Sequence, residues 1–291
     1  MFSGSMVALV TPFYDGEVDY DTLEELVEFQ LKNGTDGIVP CGTTGESPTL
    51  TYEEHKKVIE IVVNTVDGRV PVIAGTGSNS TAEAIELTMY AKKIGADASL
   101  QVCPYYNKPT QEGFFQHFKA IAEETNFPLI LYNIPGRCGG TGLSAETIER
   151  LAEIENIVAI KEATGSLDMA SEIADRTELT ILSGDDSLTL PIASVGGKGV
   201  ISVVANIVPA DVKAMTDLIL EGDLIAARAW HKKLFKLSKS LLSMSTNPIP
   251  IKAAMNMLGM CSEEMRLPMV PLEESQKVKL KKYLQDYGLL S

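Results

Sequence analysis

The sequence predicts a (β/α)8 barrel followed by a small C-terminal helical domain. Eight short, almost continuous apolar runs recur along the chain, each followed by a segment with helical spacing. Runs so uniformly apolar suit parallel strands covered on both faces. Beyond residue 222 helical spacing continues without another strand-like run. The 291 residues, 45% of them hydrophobic, are enough for a large core, and one α/β barrel takes about 250 residues. The expected division is a barrel over 1–222 and helices over 223–291.

In order, the runs are SMVALV (5–10), GIVP (37–40), VPVIAG (70–75), ASLQVC (98–103), PLILYN (128–133), IVAIK (157–161), LTILSG (179–184) and GVISVVA (199–205). The first helical segment, YDTLEELVEFQLKNG, gathers Leu23, Leu26, Val27, Gln30 and Leu31 on one side and stops at Asn33-Gly34. Segments beginning at Thr51, Ser80 and Thr110 repeat the form, each opening on a cap residue. Residues 223–245, 248–260 and 274–287 carry the last helical patterns. An open doubly wound sheet shows the same alternation, because ring closure leaves no local mark on a sequence.

There are 25 basic and 39 acidic residues, a formal charge of −14, which disfavours nucleic acid and anionic membranes as partners. A site for a small anion must therefore create its own positive field. Four scattered cysteines without a C-x-x-C pair suggest reduced thiols. The N-terminus lacks the basic region of a signal peptide, and no stretch approaches the roughly 18 apolar residues of a membrane span. These features read as a soluble, cytoplasmic protein.

Barrel chemistry sits at the C-terminal ends of the strands and in the loops behind them. Those ends offer Thr43 and Thr44, Tyr105 and Tyr106, Tyr132 and Arg137, Lys161, and Asp185-Asp186. Lys161 follows four apolar residues, Ile157 to Ile160. A strand-end lysine can simply snorkel to solvent. A buried one loses its proton more readily and becomes a nucleophile toward carbonyls. By strand alternation Glu162 faces the other way. Tyr132 can cap the core or, beside an amine nucleophile, shuttle protons as a neutral phenol. Gly42 and Gly45 around the threonines permit close backbone approach, so amides and hydroxyls there suit a carboxylate. Arg137 offers a fork for another. His55, His117 and His231 fall in helical patterns, which argues against a histidine triad or histidine metal site. GGKG (196–199) precedes its strand and GTGSNS (75–80) lacks the third glycine of a dinucleotide fingerprint, so neither implies a nucleotide. The aspartate pair alone is a weak case for a divalent ion, and neither metal nor cofactor is expected.

GTTGES, VIAGTGSNSTAEAIE, PYYNKPTQEG, YNIPGR, IKEATG, SGDD and GVISVVAN occur in the order found in the dihydrodipicolinate synthases, and NPIPIKAA and RLPMVPL continue the likeness to about residue 290. The chain resembles that family within the Schiff-base class I aldolases and lyases. The threonine pair and Arg137 set it apart from N-acetylneuraminate lyases, which typically have Ser-Thr at the first site and no arginine at the second. The resemblance implies condensation of pyruvate with L-aspartate 4-semialdehyde on the diaminopimelate route to lysine. Lys161 would form the imine, with Thr43, Tyr132 and Tyr106 as proton relay. Tyr106 would come from the neighbouring subunit of a homotetramer built as a dimer of dimers. Thr44 and the backbone at Ile201 would hold pyruvate, and Arg137 the second substrate's carboxylate. Ser47, His55, Asn79, Glu83 and Tyr105 resemble a site for inhibitory L-lysine, although Pro48 and Tyr52 depart from lysine-sensitive members. A pyruvate-dependent aldolase for a sugar acid or hydroxy-oxoacid is the competing enzyme. A barrel without catalysis is the competing non-enzyme.

Overall fold

The computed structural model describes residues 2–291. The eight runs form β1 (Gly4–Ala8), β2 (Gly37–Val39), β3 (Ile73–Gly75), β4 (Ala98–Val102), β5 (Leu129–Asn133), β6 (Ile157–Glu162), β7 (Thr180–Ser183) and β8 (Gly199–Ser202). They make one parallel sheet in the order β2-β1-β8-β7-β6-β5-β4-β3. Its two ends then meet. Ile38 bridges to Val72, Ile38 N donates to Pro71 O at 3.0 Å, and Gly75 N donates to Pro40 O at 2.9 Å. The sheet is therefore a closed barrel, which excludes the doubly wound alternative.

Around it run α1 (Tyr20–Lys32), α2 (Tyr52–Val66), α3 (Thr81–Lys93), α4 (Gln111–Thr125), α5 (Ala145–Ala152), α6 (Leu167–Arg176), α7 (Thr189–Ala193) and α8 (Pro209–Leu220). Thr51, Ser80 and Thr110 are the caps of α2, α3 and α4, each accepting from a backbone N–H in the first turn. At Thr51 the Glu54 carboxylate returns the bond, completing a capping box. Helix α1 ends at Asn33 with Gly34 at φ +79°, the left-handed turn that glycine tolerates best.

Three further helices follow, α9 (Leu224–Ser243), α10 (Ile249–Met257) and α11 (Glu274–Tyr287). Leu234, Leu237 and Leu241 of α9, Ile251 and Met255 of α10, and Leu280 and Leu284 of α11 are buried in one apolar cluster with Val7 of β1 and Leu23 of α1. The appended helices thus share the barrel's core. Among the described residues no helix is long and apolar enough to cross a membrane.

Alternation sorts the strand residues. Ala8, Val39, Ile73, Leu100, Ile130, Tyr132, Ala159, Leu182 and Ile201 fill the barrel interior, while Leu129, Leu131, Ile157, Ile160 and Ile181 pack under the helices. With Ala159 inward and Ile160 outward, the period of two turns Lys161 inward and Glu162 outward.

Candidate active site

Register decides which side chains meet at the mouth. Val102 of β4 pairs with Tyr132, Tyr132 with Lys161, and Lys161 with Leu182. Tyr132 and Lys161 are thus neighbours at one level of the barrel. The Lys161 Nζ lies 4.3 Å from the Tyr132 ring centroid. Both side chains are buried, Lys161 being 6% exposed and Tyr132 5%. Burial lowers the Lys161 pKa to about 8, with Arg137 pushing the same way and the Asp186 carboxylate opposing. An enclosed side chain does not reach out to water, so the snorkelling alternative is set aside. Burial also raises the Tyr132 phenol to about 12, against the pull of Arg137 and of its contact with the Thr43 side chain.

Space for the amine comes from Gly184, just beyond β7. A Cβ there would stand 2.6 Å from the Ala163 Cβ and 3.2 Å from the Lys161 Cε. Glu162 is turned away as alternation requires. It accepts from Thr164 N at 2.6 Å and from Asn133 Nδ2 at 3.4 Å.

The loop after β2 is tightly folded. Cys41 and Glu46 take left-handed φ of +55° and +53°. A Cβ on Gly45 would press on the Cys41 N and the Leu9 O, both 3.1 Å away, whereas Gly42 faces open space. Only the second glycine is therefore needed for close packing. Thr43 stays half-exposed at the mouth, and the buried Thr44 accepts from Asn247 Nδ2 at 2.9 Å. Arg137 closes the 3-10 turn Pro135–Arg137 behind β5 and donates to the Asn247 carbonyl at 3.0 Å. Asn247, in the link from α9 to α10, thus ties together two residues singled out for substrate carboxylates. Sequence reasoning missed it, since it lies 203 residues from Thr44 and 110 from Arg137.

A cavity of about 220 Å3 opens between Gly42, Thr43, Leu100, Tyr132, Arg137 and Cys138. Arg137 also borders an outer cavity of about 450 Å3 with Ala163, Gly184, Asp185, Ser245 and Asn247. The guanidinium stands where the inner chamber meets the outer one, as a fork for an incoming carboxylate should. Ile201 is buried in β8 on the interior wall. Tyr106 is different. It is 90% exposed, with φ at +70°, and lies outside its own chain's inner chamber.

The two carboxylates of Asp185-Asp186 diverge. Asp185 accepts from the Ser187 N–H and hydroxyl, both at 2.8 Å, while Asp186 turns inward to the end of β8. Among the described residues no three His, Cys, Asp or Glu side chains gather as a metal site. His55, His117 and His231 lie in α2, α4 and α9, as their spacing predicted.

Ser47, His55, Glu83 and Tyr105 line a further cavity of about 170 Å3, together with Pro48 and Tyr52; it shares Ser47, Pro48, Gly77 and Tyr105 with the inner chamber. Asn79 stands beside it and donates to the Tyr105 carbonyl at 3.1 Å. Glu83 accepts from Ser78 Oγ at 2.8 Å. His55 Nε2 meets the Gly75 carbonyl at 2.7 Å, and burial lowers its pKa, so it donates there as a neutral ring.

This geometry has known counterparts. The model of the dihydrodipicolinate synthetase family matches residues 1–287. The chain belongs to that family. It is 59% identical over 292 residues to the 4-hydroxy-tetrahydrodipicolinate synthase of Geotalea uraniireducens, covering all of both chains. The crystal structure of dihydrodipicolinate synthase from Aquifex aeolicus superposes with a TM-score of 0.97 at 53% identity, over 99% of each chain. The enzyme from Cyanidioschyzon merolae, solved with lysine bound, gives 0.95 at 43% identity over 99% of each chain. Membership makes this chain an enzyme, a lyase, and removes the reading of a barrel without catalysis.

Proposed function

We propose that this family member condenses pyruvate with L-aspartate 4-semialdehyde, the 4-hydroxy-tetrahydrodipicolinate synthase reaction, through an imine on Lys161. The supporting observation is the buried Lys161 amine beside the Tyr132 ring, titrating near pH 8. The neutral Nζ attacks the pyruvate ketone carbon, and the ketone oxygen leaves as water once protonated. Tyr132 keeps its proton at neutral pH, so it can deliver one to that oxygen and regain it through Thr43. The protonated imine then withdraws electrons, the methyl carbon loses a proton, and the resulting enamine attacks the aldehyde. The second substrate's own amine displaces Lys161 as the ring closes, returning the free side chain.

Thr44 and the backbone at Ile201 hold pyruvate, and Arg137 takes the carboxylate of the second substrate at the outer chamber. Tyr106, exposed on its own chain, completes the relay of a neighbouring copy. The assembly we infer is therefore a homodimer at least, paired into a tetramer as the family resemblance implies.

Incubation with pyruvate and borohydride tests the reading. Wild-type protein should acquire a reduced pyruvyl adduct on the peptide bearing Lys161. Arg137→Ala should keep the adduct while turnover of aspartate semialdehyde falls by about two orders of magnitude. Equal turnover in the variant would remove Arg137 from substrate recognition and favour an aldolase for another aldehyde.

The cavity around Glu83 we assign to L-lysine as a feedback inhibitor, Glu83 and Ser78 facing its ammonium groups. Pro48 and Tyr52 line that same cavity, so the two departures from sensitive members reshape the site itself. Activity should fall as lysine is titrated in, and a flat curve into the millimolar range would sink the assignment.

A further inference from the structure

Asp186 has no part in the roles above, yet its surroundings are unusually specific. The side chain is buried at the start of the 3-10 turn Asp186–Leu188, three residues beyond β7. One carboxylate oxygen accepts from the Ser202 hydroxyl, and the other from Val203 N at 2.9 Å and Val204 N at 3.1 Å. The Ser202 oxygen in turn accepts from Ala205 N at 2.9 Å. Every one of these groups follows Ile201 directly in the chain. The run of apolar residues continues to Ala205, but the strand stops at Ser202 and the backbone turns into the 3-10 segment Val204–Asn206. Asp186 occupies the bend. Two amides that would otherwise point at nothing are satisfied there by one carboxylate, and loss of such a bond is costly in a dry interior.

We propose that Asp186 is a positioning residue, whose carboxylate fixes the peptide at Ile201 through the following turn and supplies a counter-charge for the cationic imine on Lys161. This rests on the reading that Lys161 carries the imine and that Ile201 presents its backbone to pyruvate. The charged and titratable groups facing Lys161 are Asp186, Arg137 and the Tyr132 phenol. Those facing Asp186 are Lys161 and the preceding Asp185. Burial raises the Asp186 pKa and Asp185 adds to the rise, while the Ser202 hydroxyl and the Val203 and Val204 amides, all donating to its two oxygens, oppose it and favour the carboxylate. Arg137 has the wrong sign to balance an iminium, and Tyr132 stays neutral. Glu162 is spent on Thr164 and Asn133 on the far side of the strand. Asp186 is the buried acid that remains beside Lys161. Its attraction opposes the effect of burial on the Lys161 amine, so removing it should lower the pH at which that amine becomes reactive.

Asp186→Asn keeps the shape. Its carbonyl oxygen can accept from the two amides, and its NH2 can donate to Ser202 Oγ. The pH profile of borohydride trapping and the pyruvate KM are measured for this variant and for Ser202→Ala, which loosens the turn without removing charge. Expected for Asp186→Asn is an acid limb moved down by about one pH unit together with a pyruvate KM raised about tenfold. For Ser202→Ala, KM alone should rise. An unmoved limb in Asp186→Asn overturns the counter-charge, and an unchanged KM in both variants overturns the positioning. If Asp186→Asn does not fold, Asp186→Ser, which leaves room for water, is put through the same two measurements. Absence of any adduct in the wild-type protein would instead defeat the Lys161 assignment.

Discussion

Lys161→Met should give a protein that forms no pyruvate adduct, loses about three orders of magnitude or more in turnover, and unfolds at a higher temperature than wild type. The gain in stability follows from burial. In the unfolded chain the lysine titrates at its ordinary 10.5, in the folded chain at about 8. Below pH 8 both states carry the proton, and the native state bears the full cost of holding an ammonium among apolar neighbours. Between 8 and 10.5 the unfolded chain binds the extra proton, so stability rises with pH. Above 10.5 the penalty is gone. The difference amounts to about 3 kcal/mol at neutral pH. Methionine has a similar unbranched shape and no charge, so it should recover most of that, a rise of several degrees in Tm. Unfolding measured at pH 7 and again near pH 10.5 checks the cause, because the advantage must shrink at the higher pH. Equal stability at pH 7 would mean that burial does not destabilise the Lys161 ammonium, and the activation argument would fail with it. Activity should show the complementary behaviour, rising through an acid limb near pH 8 as the amine becomes free to attack.

What the sequence could reveal here depended on distance along the chain. Each of the eight apolar runs overlaps a strand, two of which reach one residue further, to Gly4 and to Glu162, and the caps at Thr51, Ser80 and Thr110 follow from residues three positions apart. Lys161 was legible in part for the same reason: four apolar neighbours and a period of two gave its direction, while its burial, against a side chain snorkelling to solvent, was decided by the closed barrel. Strand ends were less so. In the run 70–75 only Ile73–Gly75 joins the ladder as a strand; Pro71 has no N–H to donate, and its carbonyl serves instead to close the ring. The run 199–205 ends early because Asp186 draws the amides of Val203 and Val204 out of line. Ring closure, the Asn247 tie and the turn at Asp186 all depend on partners from other strands or from the C-terminal helices. No local pattern encodes them. The family likeness supplied Arg137, Thr44 and Ile201 with roles, but not the contacts that hold them in place.

One distant pair did leave a trace. Lys252 stands inside IPIKAAM, an apolar helical stretch, and so repeats the anomaly of Lys161. It is fully buried in α10, 2.6 Å from Glu46 Oε1 and 2.6 Å from the Glu264 carbonyl, with its Nζ 4.3 Å from the Phe13 ring centroid. Glu46 belongs to the loop that carries Thr43 and Thr44, and its other carboxylate oxygen is buried without a partner among the described residues. Burial pushes the Lys252 pKa down and the Glu46 pKa up, and the mutual attraction opposes both shifts. A buried pair of this kind adds little over an apolar replacement, but removal of one member strands the other. Lys252→Met should therefore lose about 3–5 kcal/mol of stability. The double variant Glu46→Gln with Lys252→Met should recover a large part of that loss, since a neutral amide costs far less to bury than a lone carboxylate. The single variant should also raise the pyruvate KM, because an unpaired Glu46 disturbs the loop that presents Thr43 and Thr44. Urea unfolding of the wild type, the single and the double variants, alongside pyruvate kinetics, measures both effects. If the double variant were as unstable as Lys252→Met alone, Lys252 would be acting through its packed stem and the Glu264 carbonyl, and the ion pair would not be what anchors the threonine loop to the C-terminal helices.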